Sequence, residues 1–416
     1  MVALRISALF MFGVCLVARA ASGFDAAIAT DDLGLDLYRR FADQAAGENV
    51  LLSPYSIEGA LGIAYVGAEG LTREEMARAL HFPSDDAAVT AAFSGLRSAL
   101  GAVVRDSEKW SKSTGGDSIE FHEANRLFGQ QGYAFRDSFL IRLKDDYGSP
   151  FEPLDFKMQA EPARSRINSW VEEQTHGKIR DLISEGGVTS DTRLVLANAL
   201  YLKAPWGRAF NSELTRLDPF LVHGSAMRNV PTMYGSGYFG YTRGKGFTAV
   251  AVRYLGGELE FLILLPDKGT DVDTLGSRLT SEMLRSCARD NEELRLFLPK
   301  FRIEGGSMEL GNDLRALGMK SAFDQPPGSA NFDRIAPRRP NDYLALSKVY
   351  HKTFLSLDEN GTEAAAATAI VLESVGMAYE PQREPIEVHV DRPFLFAIRL
   401  RSSGLCLFLG RVTDPE

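Results

Sequence analysis

Apolar positions recur every three to four residues through the first 180 residues, then the period changes. Residues 31–44, DDLGLDLYRRFADQ, carry them at near-3.6 spacing behind an aspartate cap, which predicts a helix. The same spacing predicts helices over 54–66, 72–80, 87–101, 134–146 and 161–175. After that, strands dominate. Residues 193–202 form a nearly unbroken apolar run, as expected of a strand buried on both faces. Residues 247–255 and 258–265 flank Gly256-Gly257, a hairpin signal. Helical spacing returns at 271–287 and 308–318, and strands are expected over 294–302, 343–357, 386–400 and 405–412. Helices first, then strands with no regular β-α alternation, predict an α+β fold. Residues 106–118, DSEKWSKSTGGDS, read as the clearest polar loop. No stretch reads as an interdomain linker, so residues 21–416 are expected to form one domain.

Residues 1–20 stand apart. Arg5, the apolar run from 6 to 17 and Ala18-Arg19-Ala20 form the pattern of a secretory signal peptide. The mature chain is therefore expected to be secreted and extracellular. No later stretch reads as the run of about 18 apolar residues that a membrane span needs. Removing residues 1–20 takes away Arg5 and Arg19 and no acid, so the formal charge moves from −9 to −11. An acidic surface disfavours nucleic acid and anionic membranes as partners. Residues 87–105 hold only Arg97 and Arg105 as cations, too few for a glycosaminoglycan groove. Arg334, Arg338 and Arg339 stand beside prolines and read as a solvated loop. Cys15 leaves with the signal, and Cys287 and Cys406 are expected as two buried free thiols.

A search for catalytic chemistry returns nothing that holds together. The six histidines are scattered, and the chain has no H-E-x-x-H, C-x-x-C, EF-hand loop or G-x-S-x-G elbow. No metal, cofactor or enzymatic activity is expected. Gly235-Ser236-Gly237-Tyr238-Phe239-Gly240 matches G-x-G-x-x-G, but polar and then strand-like sequence follows it instead of a helix. It reads as a glycine-rich turn between strands. The pairs Asp31-Asp32 and Asp85-Asp86 read as helix-start residues.

Several segments do carry a resemblance. NVLLSPYSIEGAL (49–61), GAEGLTREEMARALHF (67–82), ANRLF (124–128), INSWVEEQTHGKIRDLI (167–183), LVLANALYLKAPWGRAF (194–210), VHVDRPFLFAI (388–398) and FLGRVTDP (408–415) together resemble the serpin family. They occur in family order from about residue 31 to 415. The resemblance implies three β-sheets, about nine helices and an exposed reactive-centre loop, here about residues 358–387. It also implies a metastable monomer whose loop, once cut by a protease, enters the large sheet as a new strand and drags the acyl-linked protease with it.

The loop's composition fits that mechanics on physical grounds. DENGTEAAAATAIVLESVGM (358–377) offers Thr362, Ala364, Ala366, Thr368 and Ile370 to one face of a strand and Glu363, Ala365 and Ala367 to the other. The first four are small, and the single charge, Glu363, is expected to face solvent. Bulk or charge on the inward face would strain or desolvate the first steps of insertion. Gly361 gives freedom at the pivot, after Glu359. About 15 inserted residues would carry the far end ~50 Å at ~3.3 Å each. At a net 0.5–1.5 kcal/mol per hydrogen bond, insertion would release on the order of 10 kcal/mol. Loop insertion in serpins is itself a worked example of this type of switch.

Carried onto this chain, the family's spacing ends at Val375, with Gly376 beyond the scissile bond. A β-branched, medium apolar residue suits the small pocket of an elastase-like serine protease. Met377 and Tyr379 are the alternatives, and either would shift preference towards chymotrypsin-like or cysteine proteases. Ser53, Ser56, Asn198 and His351 match the family's polar cluster beneath the sheet's opening strands, and Trp206 matches a tryptophan near the insertion point. The rival reading is a non-inhibitory carrier, chaperone or storage member, which the small-residue hinge disfavours. Asn360-Gly361-Thr362 is the chain's single N-x-T sequon; a glycan there would load the hinge, so the site is expected to be unmodified.

Overall fold

The computed structural model describes residues 24–149, 151–340, 342–363 and 384–416. One large sheet is built on β4 (Leu194–Pro205), nearly all buried as its apolar run requires. On one side of β4 runs β2 (Glu120–Gln130), followed by β3 (Glu152–Leu154) at the edge. On the other side come β13 (Gly361–Thr362), β12 (Leu346–Asp358) and β10 (Phe301–Glu304), with β11 (Met308–Glu309) also pairing to β12.

The second hydrogen-bonded network is a nine-stranded sheet that runs through β6 (Ala226–Gly244), a strand of 19 residues. The first residues of β6, to Thr232, pair with β5 (Arg216–Val222), and Thr232 to Tyr241 pair with β9 (Asp290–Pro299), which in turn pairs with β14 (Ile386–His389). Its last residues pair with β7 (Phe247–Arg253). From there the order continues through β8 (Leu259–Pro266), β15 (Phe394–Leu400), β16 (Cys406–Val412) and β1 (Val50–Leu52). The expected Gly256-Gly257 hairpin joins β7 to β8.

Nine α-helices occur among the described residues: α1 (Ala26–Gln44), α2 (Pro54–Gly67), α3 (Gly70–Ala79), α4 (Asp86–Thr114), α5 (Asp137–Tyr147), α6 (Ala160–Gln174), α7 (Val272–Arg278), α8 (Ser281–Ser286) and α9 (Gly311–Ala316). The fold is α+β, as the order of periodicities indicates. Helix α2 is the pivot. Thirteen of its 14 residues are buried, and Ser53 caps it by accepting from the Ser56 amide at 3.2 Å. Proline at the first helical position has no amide to leave unpaired there.

Several expectations need correction. Helix α1 begins at Ala26, and its cap is Asp25, which accepts from the amides of Ala27 and Ile28. Asp31 is not a helix-start residue: it is fully buried inside α1 and accepts from the Cys406 amide at 2.9 Å. Helix α4 runs through the expected polar loop to Thr114 and stops at Gly115, φ 76°. Asp106, Glu108, Lys109 and Lys112 are the solvent face of a long helix, with Asp106 and Lys109 paired one turn apart, while Ser107 is buried and accepts from the Ile119 amide. From Asp86 to Ser113, α4 is also long and apolar enough to cross a membrane by length and composition, contrary to the sequence reading. In this fold Val89, Phe93 and Leu100 of that helix are buried in the core.

The helix expected over 271–287 is two, because Leu279 and Thr280 turn extended and Thr280 caps α8 by accepting from Met283. Residues 308–310 leave the expected 308–318 helix, with Met308–Glu309 forming β11. Asp391-Arg392-Pro393 interrupts the expected 386–400 strand between β14 and β15. Cys287 and Cys406 are both free and buried. Next to them Arg399 and Glu260 form a buried ion pair at 2.6 Å, with Arg399 also donating to the Cys287 carbonyl.

Candidate functional site

The site lies along the seam between β4 and β12. These strands run parallel and are directly paired from Leu194 opposite Leu346 up to Leu200 opposite Thr353. Above that point β13 lies between them, antiparallel to both. Gly361 stands opposite Pro205 and Asp358, and Thr362 opposite Ala204 and Leu357. Two hinge residues therefore already occupy a strand position at the top of the large sheet.

Local sequence explains why this position takes Gly-Thr. Gly361 has φ +151°, and a Cβ there would sit 2.1 Å from the Ala204 carbonyl oxygen and 2.8 Å from Pro205 Cα. Any side chain would force β4 away. Thr362 is fully buried, and its hydroxyl bonds the Tyr254 hydroxyl at 2.5 Å. The Tyr254 ring stacks on Trp206 with centroids 4.4 Å apart and planes 13° off parallel.

The preceding residues are tied by a dense set of bonds. Trp206 Nε1 donates to the Asp358 carbonyl at 2.9 Å, and the Trp206 amide donates to the Asn360 carbonyl at 2.8 Å. The Phe210 amide donates to the Glu359 carbonyl at 2.9 Å. Glu359 is buried, accepting from Thr215 Oγ1 at 2.7 Å and pairing with Lys300 Nζ at 2.8 Å. Burial acts to raise its pKa, but the bonds to Lys300 and Thr215 outweigh burial and hold it below the usual glutamate range.

Glu363 does not face open solvent as the strand alternation suggests. Its side chain is 12% exposed and paired with Lys178 at 2.5 Å. The reason is that the segment following α6 covers this face of the sheet, where Lys352 Nζ donates to the Arg180 carbonyl at 2.9 Å. Ala364, Ala365, Ala366, Ala367, Thr368, Val375 and Gly376 lie outside the described residues, as do residues 1–20.

Lower down, the polar cluster is assembled. His351 on β12 and Asn198 on β4 are direct cross-strand partners, and Asn198 is also the partner of Asn125 on β2. The three side chains form a row across the sheet above the start of α2. The Ser53 amide donates to His351 Nε2 at 3.1 Å, so the ring proton sits on Nδ1, which faces and donates to Asn198 Oδ1. Asn198 Nδ2 reaches Ser56 Oγ at 2.5 Å and the Ser56 carbonyl at 2.7 Å, and also contacts Asn125 Oδ1. His351 is fully buried, and burial lowers its pKa to about 3, so it is neutral near pH 7.

Ser53, Ser56, Asn198 and His351 thus meet in one place, and Trp206 sits with the hinge above them. Asn125, Tyr254, Lys178, Lys300 and Thr215 belong to the site and were not singled out from the sequence. Asn125 lies in the ANRLF segment, among the polar residues Glu123 and Arg126, and only the register of β2 against β4 brings it to the site. The other four reach the site from distant elements, which no local pattern records.

The sequence of the chain fits this geometry to a known family. The family model for serpin (serine protease inhibitor) matches residues 28–415. The chain belongs to the serpin family. An uncharacterized serpin-like protein of Thermococcus kodakarensis is 37% identical to this serpin over 93% of this chain and 85% of its own length. The leukocyte elastase inhibitor of Sus scrofa is 35% identical over 93% of this chain and 98% of its own. Among solved structures, Serpin48 of the insect Tenebrio molitor superposes with a TM-score of 0.77 at 30% identity, covering 94% and 98% of the two chains. Serpins are generally protease inhibitors rather than catalysts, and the family implies a target protease as partner.

Proposed function

We propose that this serpin is an exported suicide-substrate inhibitor of an elastase-like serine protease, with the Val375–Gly376 bond as bait. The observation that supports it most is β13, whose two residues already stand as a strand between β4 and β12. Continuing that register one residue at a time gives a definite path for the loop after cleavage. Ala364 would fall opposite Leu202 and Leu355, Ala366 opposite Leu200 and Thr353, and Thr368 opposite Asn198 and His351. The last two pairs are already cross-strand partners of one another, so the inserted strand would take the place of their direct pairing. Each inward position down to Thr368 carries a side chain no larger than threonine, which the narrow seam requires.

In the proposed reaction the protease serine attacks the Val375 carbonyl, forming an acyl ester, and the amine of Gly376 leaves. Residues 363 to 375 then enter the sheet, each exchanging solvent bonds for ladder bonds with β4 and β12. The ester-linked protease would be displaced by roughly 3.3 Å per inserted residue. Valine at the bond favours a small apolar pocket, and the 35% identity to a protein named leukocyte elastase inhibitor points the same way. Export is proposed from the signal pattern of residues 1–20.

The test is direct. The protein is mixed with pancreatic elastase and run on a denaturing gel, and the released C-terminal fragment is sequenced. A stable high-mass complex and a fragment starting at Gly376 are expected. A fragment starting after Met377 or Tyr379 would redirect the target towards chymotrypsin-like or cysteine proteases. Quantitative cleavage with fully active protease and no complex would overturn inhibition in favour of a carrier or storage role.

A further inference from the structure

Beside the hinge lies a cavity of about 550 Å³ that the insertion mechanism does not use. Its floor is β6 at Gly235-Ser236-Gly237, the glycine-rich stretch that is neither a turn nor a dinucleotide motif but the middle of a strand paired to β9. The glycines strip that floor of side chains. A Cβ at Gly235 would come within 2.7 Å of the Phe210 ring, and one at Gly237 within 2.9 Å of Arg208 Nη1. Their absence lets the 207–214 segment lie close above the strand and leaves the space between open.

The cavity's lining has a consistent chemistry. Phe210, Tyr234 and Phe239 supply rings, and Arg208 and Arg253 supply two guanidinium groups. No aspartate or glutamate lines it among the described residues. Arg208 is exposed, and Arg253 donates to the amide oxygen of Asn291 at 2.8 Å. In a chain of net charge −9, two arginines over an aromatic pocket with no acid among the lining residues complement an aromatic anion. A volume of this size is in the range of small-molecule sites.

We propose that this cavity binds a small aromatic monocarboxylate, ring among Phe210, Tyr234 and Phe239, and carboxylate on Arg208 and Arg253. The site is wired to the hinge. Trp206 and Thr215, which flank the cavity's 207–214 wall, and Phe210 within it bond Asn360 and Glu359. An occupant that immobilises this wall also steadies residues 358–362. The proposal does not depend on the protein being an inhibitor.

Isothermal titration of the intact protein with 2-naphthoate, and with 2-naphthamide as its neutral twin, tests it. Saturable one-to-one binding of the acid is expected, with the amide about tenfold weaker, the loss of one charge-assisted contact. Arg208→Gln should weaken the acid about tenfold and leave the amide unchanged, and Arg208→Glu should weaken the acid further. Arg208 is exposed, so both variants should unfold at the wild-type temperature. Amide hydrogen exchange should slow at 207–214 and 358–362 when 2-naphthoate is bound. The proposal is overturned by no saturable binding up to ~1 mM, a concentration that a site of this size should respond to. Equal affinity for acid and amide, unchanged affinity in both Arg208 variants, or exchange protection confined to other segments would each overturn it too.

Discussion

The strands β4 and β12 share one seam but are held together in two ways. Below Leu200 and Thr353 they bond each other directly, reinforced by the bond between Asn198 and His351. Above, their direct pairing ends and they are joined through β13, with a glycine against β4 and a buried threonine bonded to Tyr254. The upper half has accepted a third strand, and the lower half is closed by exchangeable polar contacts. In the proposed mechanism the difference would give insertion a starting point at Thr362 and a defined next obstacle, the row of Asn125, Asn198 and His351. It also separates two kinds of damage, to the occupied slot and to the latch beneath it.

The largest expected effect comes from filling the slot with charge. Thr362→Arg would bury an unpaired guanidinium where exposure is zero, which costs several kcal/mol. The hinge should leave the sheet, and elastase should cleave the variant without being trapped. The number of inhibitor molecules consumed per protease should rise at least tenfold. Thr362→Ser keeps the hydroxyl and should behave as wild type. If Thr362→Arg traps protease normally, β13 is not the start of the inserted strand.

The latch should respond in stability. His351→Ala leaves the Ser53 amide and Asn198 Oδ1 buried without that partner and opens a cavity, a loss of about 3–5 kcal/mol. Thermal unfolding of the intact protein should fall accordingly, whereas the loop-cleaved protein, whose seam the proposed insertion would fill, should fall less. Equal loss in both forms would show that His351 serves packing alone.

Acidification should distinguish the two halves. His351 has a folded pKa of about 3 against about 6.5 unfolded, so its contribution is fully present above pH 6.5 and is lost as pH falls towards 3. By pH 4.5 that loss is about 2–3 kcal/mol. Glu359 has its pKa lowered on folding, so its contribution is present above about pH 4.5 and is lost only below it. Unfolding temperatures measured from pH 7 to 4 should therefore fall first through the lower seam. In His351→Gln the decline between pH 6.5 and 4.5 should shrink, and an unchanged slope would assign it to other groups.

Gly361→Val should act on the upper half with a smaller cost, about 2–3 kcal/mol, because β4 can move away at its end. Its signature is faster amide exchange at 203–206 with unchanged exchange at 194–200.

The seam shows what a sequence can and cannot declare. Hydrophobic period alone located β4, whose both faces are buried, and most helices to within a turn. It missed β2 and β6, one with mixed polar positions along both faces, the other threaded with glycines that read as turns. The hinge reading rests on composition, a stripe of small residues at the expected inward positions; Gly361 and Thr362 of it are placed in the sheet, and Ala364 to Thr368 lie outside the described residues. The cluster of Ser53, Ser56, Asn198 and His351 was legible only through family resemblance, since these residues come together across up to 298 positions of sequence. Asn125 needed the register of β2 against β4, and the salt bridge that holds Glu363 needed the path of the chain after α6. Both are long-range facts that a local pattern does not encode.

The smallest effect bears most closely on the path of insertion. If the register of β13 continues, Thr368 arrives between Asn198 and His351 and its hydroxyl takes over the bond they make to each other. Thr368→Val keeps the shape and β-branching but removes that hydroxyl, leaving both partners facing a methyl group. The intact protein should unfold at the wild-type temperature, because the latch there is still closed by its own contacts. The cleaved protein should lose about 1–2 kcal/mol, the cost of two buried polar groups imperfectly paired. Ala366→Val, one step up the same face and opposite Leu200 and Thr353, serves as the control: it adds bulk without removing a bond and should slow insertion more than it destabilises the product. An equal stability loss in intact and cleaved Thr368→Val, or none in either, would mean that the loop enters in another register or stops short of the latch.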